Sequence, residues 1–408
     1  MKEPFGALEI PFSFESGHQF DLDECDKFWH APDTISWFQE RGYTYRPQDG
    51  DGSALLPFLA NLLKLIIHMP IMILYGKVLF AQDSHSRHVA IKLIRTNTDE
   101  HRILRFLSQQ SLETLKENCL IPALDFLHNE EFTFVVMPRW GSAIHLPLVN
   151  RARDVLHIIR CMLKALAFLH ENNISHGDVN QSNVLVNHFS DSEVLEQNLV
   201  RANLRSQGLL LYALFDFDFS VMLPLEGDRT KYRLPYVRSW GTFNCTMDTA
   251  QGEFDYNPFV MDVGTMGVRF CKHYQHLTGE IPMLAPLLDR MTTRNLQRRF
   301  TAFEALHFFE AMYSQLTEDD LGQLVETRFE FMELDLLYDE YDRWKRVPKA
   351  FAEKWDAYRE PPIPWTTKTL RAICRKPWMC HVVPWIRWTF SVIWNVPRQF
   401  YASRIMNN

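Results

Sequence analysis

The chain has 408 residues, of which 46% are hydrophobic and 13% aromatic, and its formal net charge is −7. This composition is typical of a globular protein and excludes a disordered one, while the length predicts two lobes with extensions. The negative charge argues against a general nucleic-acid binder, because such proteins carry a basic surface.

The first 50 residues are acidic and aromatic. They predict one helix, around Asp33–Arg41, with Asp33 or Thr34 as its cap and Gly42 at its end.

Residues 54–75 form a strongly apolar segment in which Lys64 is the only charged residue. Length alone would permit a membrane span, but Pro57, Pro70 and several polar residues interrupt the segment. We therefore favour a buried helix followed by a strand.

From Gly76 onward the pattern predicts a small β-rich lobe followed by a larger helical lobe, an α+β fold. Short apolar runs separated by polar turns predict strands, and apolar residues spaced three or four apart predict helices. The expected strands are 77–83, 88–94, Ile121–Leu127 and Phe132–Met137, and the expected helices are Asp99–Gln109, a long one from Val155 to Leu169, and most of the chain beyond 255.

The segment from Ile174 to Val186 is the most informative in the chain. Asp178 follows His176 by two residues, Asn183 comes five residues later, and an apolar strand follows. A phosphoryl-transfer loop needs this arrangement, because one acid must accept a hydroxyl proton and an amide must help to hold Mg²⁺ against a triphosphate.

Three further charged residues fit the same chemistry. Lys92 ends an apolar strand and can neutralise phosphate oxygens, although it could also be an ordinary strand lysine. Glu100 opens a helix and can pair with Lys92, or it can face solvent near the helix dipole. Asp216 ends another apolar run and can bind a metal ion, with Asp218 as the alternative.

Together these motifs resemble a eukaryotic protein kinase domain, from about residue 75 to 315. Val89-Ala-Ile-Lys92 resembles the VAIK strand, His176-Gly-Asp-Val-Asn-Gln-Ser-Asn183 the catalytic loop, and Asp216-Phe-Asp218 stands where DFG is expected. Residues 262–267 resemble the helix segment that braces the catalytic loop, and residues 299–306 the element that closes the domain.

The resemblance implies roles for further residues and two cofactors. It implies ATP and Mg²⁺, contacts of ATP with Lys92, Glu100 and Met137, and metal binding by Asn183 and Asp216. The residues that it implies as structural support are His176, Asp262, and Arg299 paired with Glu253. The region of Phe28 to Pro47 further resembles the leader of kinase-like proteins from mushroom-forming fungi.

Two departures from the kinase pattern concern glycine positions. No G-x-G-x-x-G precedes Val89, and only Gly76 occupies that neighbourhood, so we expect weaker binding of the nucleotide phosphates. Gly177 stands where an arginine usually precedes the catalytic aspartate, so we expect that control does not run through a phosphorylated activation loop.

Three other departures concern charge and spacing. Asn180 replaces a lysine that usually contacts the transferred phosphate, and an amide supplies no charge there. Asp218 replaces a glycine and would either repel nucleotide or serve as an extra metal ligand. The 33 positions from Asn183 to Asp216 exceed the usual spacing, and we expect the excess, near His188–Gly208, to be a polar surface loop.

Three functions follow as hypotheses. The first is a protein kinase that transfers the ATP γ-phosphate to Ser or Thr hydroxyls, with Asp178 and Asn180 in the catalytic loop. The second is a pseudokinase that binds or scaffolds a regulatory protein with weak or no turnover. The third is a small-molecule phosphotransferase, because His-Gly-Asp followed by an asparagine also occurs in aminoglycoside and choline kinase-like enzymes.

The last 44 residues combine five tryptophans with seven lysines and arginines and contain no acid, so they carry +7 and the remainder of the chain −14. Such a tail suits the headgroups of an anionic membrane, but it could also dock onto the acidic body or be disordered.

The seven cysteines form no C-x-x-C pair, and residues 1–6 contain no apolar signal-peptide region. We therefore expect free thiols and a cytoplasmic location, and we keep membrane association of the tail as an alternative to its docking onto the body.

These patterns divide the chain into four parts. They are an N-terminal extension (1–74), a β-rich lobe (75–140), a helical lobe (141–315) and a C-terminal extension (316–408).

Overall fold

The computed structural model describes residues 6–11, 22–45, 76–190, 197–239, 246–327, 338–374, 376, 378–379, 382–383, 385–387 and 389. The apolar segment 54–75, for which a helix and a strand are expected, lies outside these residues.

The smaller lobe is built on one antiparallel sheet of four strands in the order β1-β2-β4-β3. Lys92 in β2 pairs with Val78 of β1 on one side and with Val135 of β4 on the other, so it lies on a central strand. The strands are β1 (Val78–Gln82), β2 (His88–Arg95), β3 (Asp125–Asn129) and β4 (Phe132–Pro138).

Strand β3 begins four residues later than the sequence predicts. Residues 121–124 precede the strand; Pro122 has no N–H to donate, and the Leu124 N–H already donates to the carbonyl of Val136 at 2.7 Å.

Four helices accompany the sheet: α1 (Leu22–His30), α2 (Pro32–Glu40), α3 (Asp99–Ser108) and α4 (Leu112–Glu117). The expected cap of α2 is wrong, since the helix begins at Pro32 with Ala31 before it. Proline suits this first position because its missing N–H would have no partner there anyway. Aromatic residues of α1 and α2, among them Trp29, Trp37 and Phe38, pack around Phe134 of β4. These two helices thereby bury one face of the sheet.

The larger lobe is helical, as expected. Its core is the long helix α5, whose apolar face packs against the other helices and short strands in one continuous buried cluster. The elements are α5 (Ala152–Glu171), β5 (Ile174–Ser175), β6 (Val184–Val186), α6 (Leu199–Ser206), β7 (Tyr212–Leu214), β8 (Val221–Met222), β9 (Leu234–Pro235), β10 (Asp255–Tyr256), α7 (Pro258–Tyr274), α8 (Leu284–Thr292), α9 (Ala302–Tyr313), α10 (Glu318–Gly322), α11 (Lys349–Lys354) and α12 (Trp365–Cys374).

The insertion near His188–Gly208 is only partly a surface loop, and this corrects the prediction. Helix α6 lies within it and buries Arg201 and Arg205, whose guanidinium groups donate to backbone carbonyls of residues 142–147. The described part of the insertion therefore braces the segment that links the two lobes.

Part of the basic tail contacts the body of the protein. Arg371 of α12 lies 2.6 Å from Asp339, Lys368 lies 3.7 Å from Glu340, and Arg387 lies 3.1 Å from Glu253. No helix among the described residues combines the length and the apolar character that a membrane crossing requires.

Candidate nucleotide and phosphoryl-transfer site

Lys92 lies at the centre of an ion-pair cluster that the structure gathers from three elements. Its Nζ atom is 2.5 Å from Glu100 Oε1, 2.8 Å from Asp216 Oδ1 and 3.0 Å from Asp218 Oδ1. Strand β2 delivers Lys92, α3 delivers Glu100, and the chain after β7 delivers the two aspartates. The inward orientation of Glu100 is therefore the one observed, and Lys92 is not an ordinary solvated lysine.

Lys92 and Asp218 stabilise each other's charges, whereas the surroundings of Glu100 favour its neutral form. Burial disfavours the Lys92 ammonium, but the carboxylates of Asp216, Asp218 and Glu100 outweigh it and raise the Lys92 pKa well above its usual value. Burial raises the pKa of Glu100, with Lys92 acting in the opposite direction. Burial would also raise the pKa of Asp218, yet Lys92 and Lys77 hold that pKa below its usual value.

Lys77 joins this cluster and was missed from the sequence. Its Nζ lies 3.4 Å from Asp218 Oδ2, so the two lysines contact opposite oxygens of one carboxylate. The only available signal was its position directly after Gly76, in the region where a glycine loop is absent.

The catalytic-loop residues converge on Asp178. Asn180 and Asn183 each donate through Nδ2 to Asp178 Oδ2, at 2.9 and 2.8 Å. Asn180 also accepts from the backbone N–H groups of Ser182 and Asn183, which caps a short 3₁₀ turn. Asn180 is thus buried and orients Asp178, rather than reaching toward a transferred phosphate from the position of the usual lysine.

Asp216 is held next to this loop through its neighbour Phe215. The Phe215 N–H donates to the carbonyl of Asn183 at 3.1 Å, and the Phe215 carbonyl lies 3.1 Å from His176 Nε2. Asp216 itself has a φ of 69°, an unusual conformation for a residue with a side chain. The Lys92 cluster and the catalytic loop therefore lie next to each other. The antiparallel pairing of β6 with β7, three residues long, holds Phe215 and Asn183 together.

The carboxylate of Asp262, in α7, fixes the backbone of the catalytic loop. Its carboxylate accepts from the backbone N–H groups of His176 and Gly177, at 2.7 and 2.9 Å, and from the side chains of Ser175 and His170. Burial would raise the pKa of Asp262, but these hydrogen bonds lower it below its usual value. A buried anion with this many donors holds the loop backbone in one conformation.

Gly177 has a conformational reason to be glycine. Its φ is +78°, and a Cβ atom there would lie 2.4 Å from the carbonyl oxygen of Phe219. This backbone accommodates no arginine at position 177 without a shift.

The expected pairing of Arg299 with Glu253 is wrong. Arg299 instead makes a bidentate ion pair with Asp248, at 2.5 and 2.8 Å, and Glu253 pairs with Arg387 of the tail. Both carboxylates precede α7, but Asp248 reaches the buried guanidinium, whereas Glu253 lies toward the tail.

Met137 lies near the end of β4, opposite Ala90 of β2, and is half-buried against the core of the helical lobe. It therefore lies near the end of an internal strand, next to the segment that links the lobes.

These features define a bilobal, protein kinase-like α+β fold. Residues 74–230 match the family described as "Protein kinase domain". The chain therefore carries a eukaryotic protein kinase-like domain.

The curated relatives that the chain matches are named as protein kinases. The chain is 40% identical over 70 residues to the "Serine/threonine-protein kinase US3 homolog" of Cercopithecine herpesvirus 9, covering 16% of this chain and 20% of that protein. It is 31% identical over 110 residues to the US3 homolog of Varicella-zoster virus, covering 26% of each, and 28% identical over 146 residues to "NUAK family SNF1-like kinase 2" of Rattus norvegicus, covering 34% and 23%. The matches thus span about a fifth to a quarter of these relatives.

Proposed function

We propose that this protein transfers the γ-phosphate of ATP to Ser or Thr hydroxyls of protein substrates. The observation that carries the proposal is the meeting of Lys92, Glu100, Asp216 and the Asp178 loop at one place between the lobes. The kinase relatives support a protein rather than a small-molecule acceptor. We also propose residue 140 as the boundary between the lobes, and 75 and 315 as the limits of the domain.

In this mechanism Asp178 accepts the proton of the substrate hydroxyl as its oxygen attacks the γ-phosphorus, and ADP leaves. Asn180 and Asn183 fix the orientation of Asp178 through their bonds to Oδ2. Lys92, positioned by Glu100, neutralises phosphate oxygens. Lys77 supplies a second cation where the backbone amides of a glycine loop are missing. Met137 lies where the adenine would be bound.

The residues present fit a magnesium ion. The carboxylate oxygens of Glu100, Asp216 and Asp218 lie within 4.8 Å of one another, and hard oxygen ligands are those that Mg²⁺ prefers. We propose Asp216 and the amide oxygen of Asn183 as ligands, with Asp218 as an additional one. When bound, the ion would neutralise charge on the triphosphate.

One observation favours the second candidate, a pseudokinase that binds nucleotide without turning it over. Three carboxylates already surround Lys92, so a triphosphate must displace at least one of them. Asn180 adds no positive charge near the transferred phosphate.

A binding and turnover assay separates these functions. The wild-type chain is expected to bind Mg-ATP and to phosphorylate a protein substrate such as casein or myelin basic protein. Lys92→Met should lose affinity, while Asp178→Asn should bind Mg-ATP as the wild type does and lose turnover by about a hundredfold or more. Wild-type binding of Mg-ATP without turnover would select the pseudokinase, and the absence of both binding and turnover would reject the kinase and leave only a scaffold that does not use nucleotide.

We further propose that the tail contacts anionic membranes. Trp365, Trp378 and Trp385 are 76%, 62% and 63% exposed, whereas Arg371 and Arg387 pair with acids of the body. Co-sedimentation with phosphatidylserine vesicles should fall when these three tryptophans are changed to serine. An unchanged sedimented fraction would leave docking onto the body as the role of the tail.

A further inference from the structure

A second chemically distinctive site lies where α4 and α5 meet. Two buried cysteines, Cys119 just after α4 and Cys161 in the middle of α5, line a cleft of about 370 Å³. Its rim carries Glu113, Lys116, Glu117 and Lys164, together with His157 and Arg160. None of these residues belongs to the proposed phosphoryl-transfer machinery.

The two thiols are paired and are not equivalent. The side chains of Cys119 and Cys161 are hydrogen-bonded to each other, and His157 Nε2 lies 3.8 Å from the sulfur of Cys161. That bond lowers the pKa of Cys161 well below the usual thiol value, against the effect of burial and with help from His157. The same bond, together with burial, raises the pKa of Cys119. Because His157 contacts the sulfur of Cys161, Cys161 is the thiol of the pair that loses its proton more easily.

His157 is oriented toward this pair. Its Nε2 lies 2.7 Å from the carbonyl oxygen of Leu210, which can only accept, so Nε2 carries the hydrogen. The same atom lies 3.8 Å from Cys161 Sγ. An N–H shared between a carbonyl and a sulfur stabilises the thiolate form of that sulfur.

We propose that Cys161 and Cys119 form a thiol–disulfide exchange site, at which a small zwitterionic disulfide oxidises the pair to an intramolecular disulfide. The zwitterionic class follows from the rim, since Arg160 is paired with Glu310 and the other charged rim residues are two lysines and two glutamates. The ammonium and carboxylate groups of oxidised glutathione match that mixture.

The exchange proceeds in two balanced steps. The Cys161 thiolate attacks one sulfur of the disulfide, forms a mixed disulfide and expels a thiolate, which takes the proton of Cys119. The Cys119 sulfur then attacks Cys161 Sγ, closes the intramolecular bond and expels the second thiolate. Two electrons pass from the cysteine pair to the disulfide.

The bond would connect two parts of the fold. Cys119 precedes the strand β3 of the sheet, and Cys161 belongs to the central helix of the other lobe. Oxidation would therefore tie the sheet lobe to the helical lobe at a point remote in sequence from the Lys92 cluster.

Peptide mapping of the full chain by mass spectrometry tests the proposal. The reduced protein is incubated with oxidised glutathione at pH 7, quenched with acid at intervals and alkylated. The Cys119–Cys161 linkage is expected first, with Cys271 unmodified, because Cys271 does not line the cleft and burial raises its pKa to about 11. In separate alkylation of the native reduced protein, Cys161 should react at least about tenfold faster than Cys271.

Cysteine variants test the order of the two exchange steps. Their readout is the modification of each cysteine, which is independent of kinase activity. Cys119→Ser should stop at a glutathione adduct on Cys161, and Cys161→Ser should leave Cys119 unreacted. Cys271→Ser, the control, should form the linkage at the wild-type rate. The proposal is overturned if Cys119–Cys161 forms no faster than linkages involving Cys271 or the partly exposed Cys374, or if Cys119 reacts equally in Cys161→Ser. The relative rate of the Cys119–Cys161 linkage is measured on the wild-type protein. The proposal can therefore be overturned even if a variant fails to fold.

Discussion

The ammonium of Lys92 lies 3.0 Å from Oδ1 of Asp218, the residue that stands where the kinase pattern has a glycine. Lys77 approaches the other oxygen of the same carboxylate at 3.4 Å. One aspartate side chain thus pairs with both lysines that we propose for binding the triphosphate. Nucleotide binding must compete with this contact.

Changing Asp218 to glycine should therefore strengthen nucleotide binding. The expected Kd for Mg-ATP falls about three- to tenfold, because phosphate oxygens no longer displace a carboxylate from Lys92 and Lys77. The gain stays modest since the Asp218 side chain is 30% exposed and solvent screens its charge. Isothermal titration calorimetry measures the change, with Asp218→Asn as the control that keeps the size of the side chain. Weaker binding in both variants would instead mark Asp218 as a metal ligand.

Lys77 offers a second test of how the missing glycine loop is replaced. Lys77→Ala should raise the Kd for Mg-ATP about five- to tenfold, because a cation near the phosphates is lost. Lys349→Ala is the matched control, since its side chain is 92% exposed on α11 and should leave affinity unchanged. If the two variants bind equally well, Lys77 is only a partner of Asp218.

Gly177 and Gly208 form a natural pair for testing backbone strain. Both have a positive φ, +78° and +68°, but an added Cβ meets the Phe219 carbonyl at 2.4 Å in the first and nothing within 4 Å in the second. Gly208→Ala should cost about 1 kcal/mol of unfolding free energy, the cost of the left-handed conformation alone. Gly177→Ala should cost about 2 kcal/mol more, because the loop must also shift.

Chemical denaturation with urea measures both changes. A Gly177→Arg variant that is as stable as the wild type and gains activity would show that the glycine is not required by the fold. Equal costs for the two alanine variants would show that the close approach to Phe219 is easily relieved.

Most of the correct predictions came from local sequence patterns, that is, from periodicity and motif spacing. The strands around Lys92, the long amphipathic helix α5 and the loop at Asp178 each depend on residues close together in the chain, where periodicity and spacing act directly. The inward orientation of Glu100 also followed, because motifs in the correct order fixed which residues had to meet.

What the sequence could not give depends on contacts between distant segments. Helix α6 has recognisable end signals, with Asn198 as its N-cap and Gly208 after its C-terminus. Its burial pattern is the reverse of the usual one, because apolar residues are exposed and arginines are buried. Leu199 and Val200 are exposed, while Arg201 is buried and donates to backbone carbonyls. A prediction that buries the apolar residues of this helix would therefore turn the wrong face toward the core. The pairing of Cys119 with Cys161 and the reach of Lys77 to Asp218 likewise arise only when the chain folds.

The partner of Arg299 shows the same limit and can be tested directly. Asp248 holds this buried guanidinium with two hydrogen bonds, whereas Glu253 pairs with Arg387 at an exposed position. Asp248→Ala should lower the free energy of unfolding by about 3–5 kcal/mol, because it leaves a buried charge without its counter-ion. Glu253→Gln should change it by no more than about 0.5 kcal/mol, as is usual for an exposed pair. Urea unfolding of both variants decides the matter. A Glu253→Gln variant that loses as much stability as Asp248→Ala would restore the pairing first expected from the sequence.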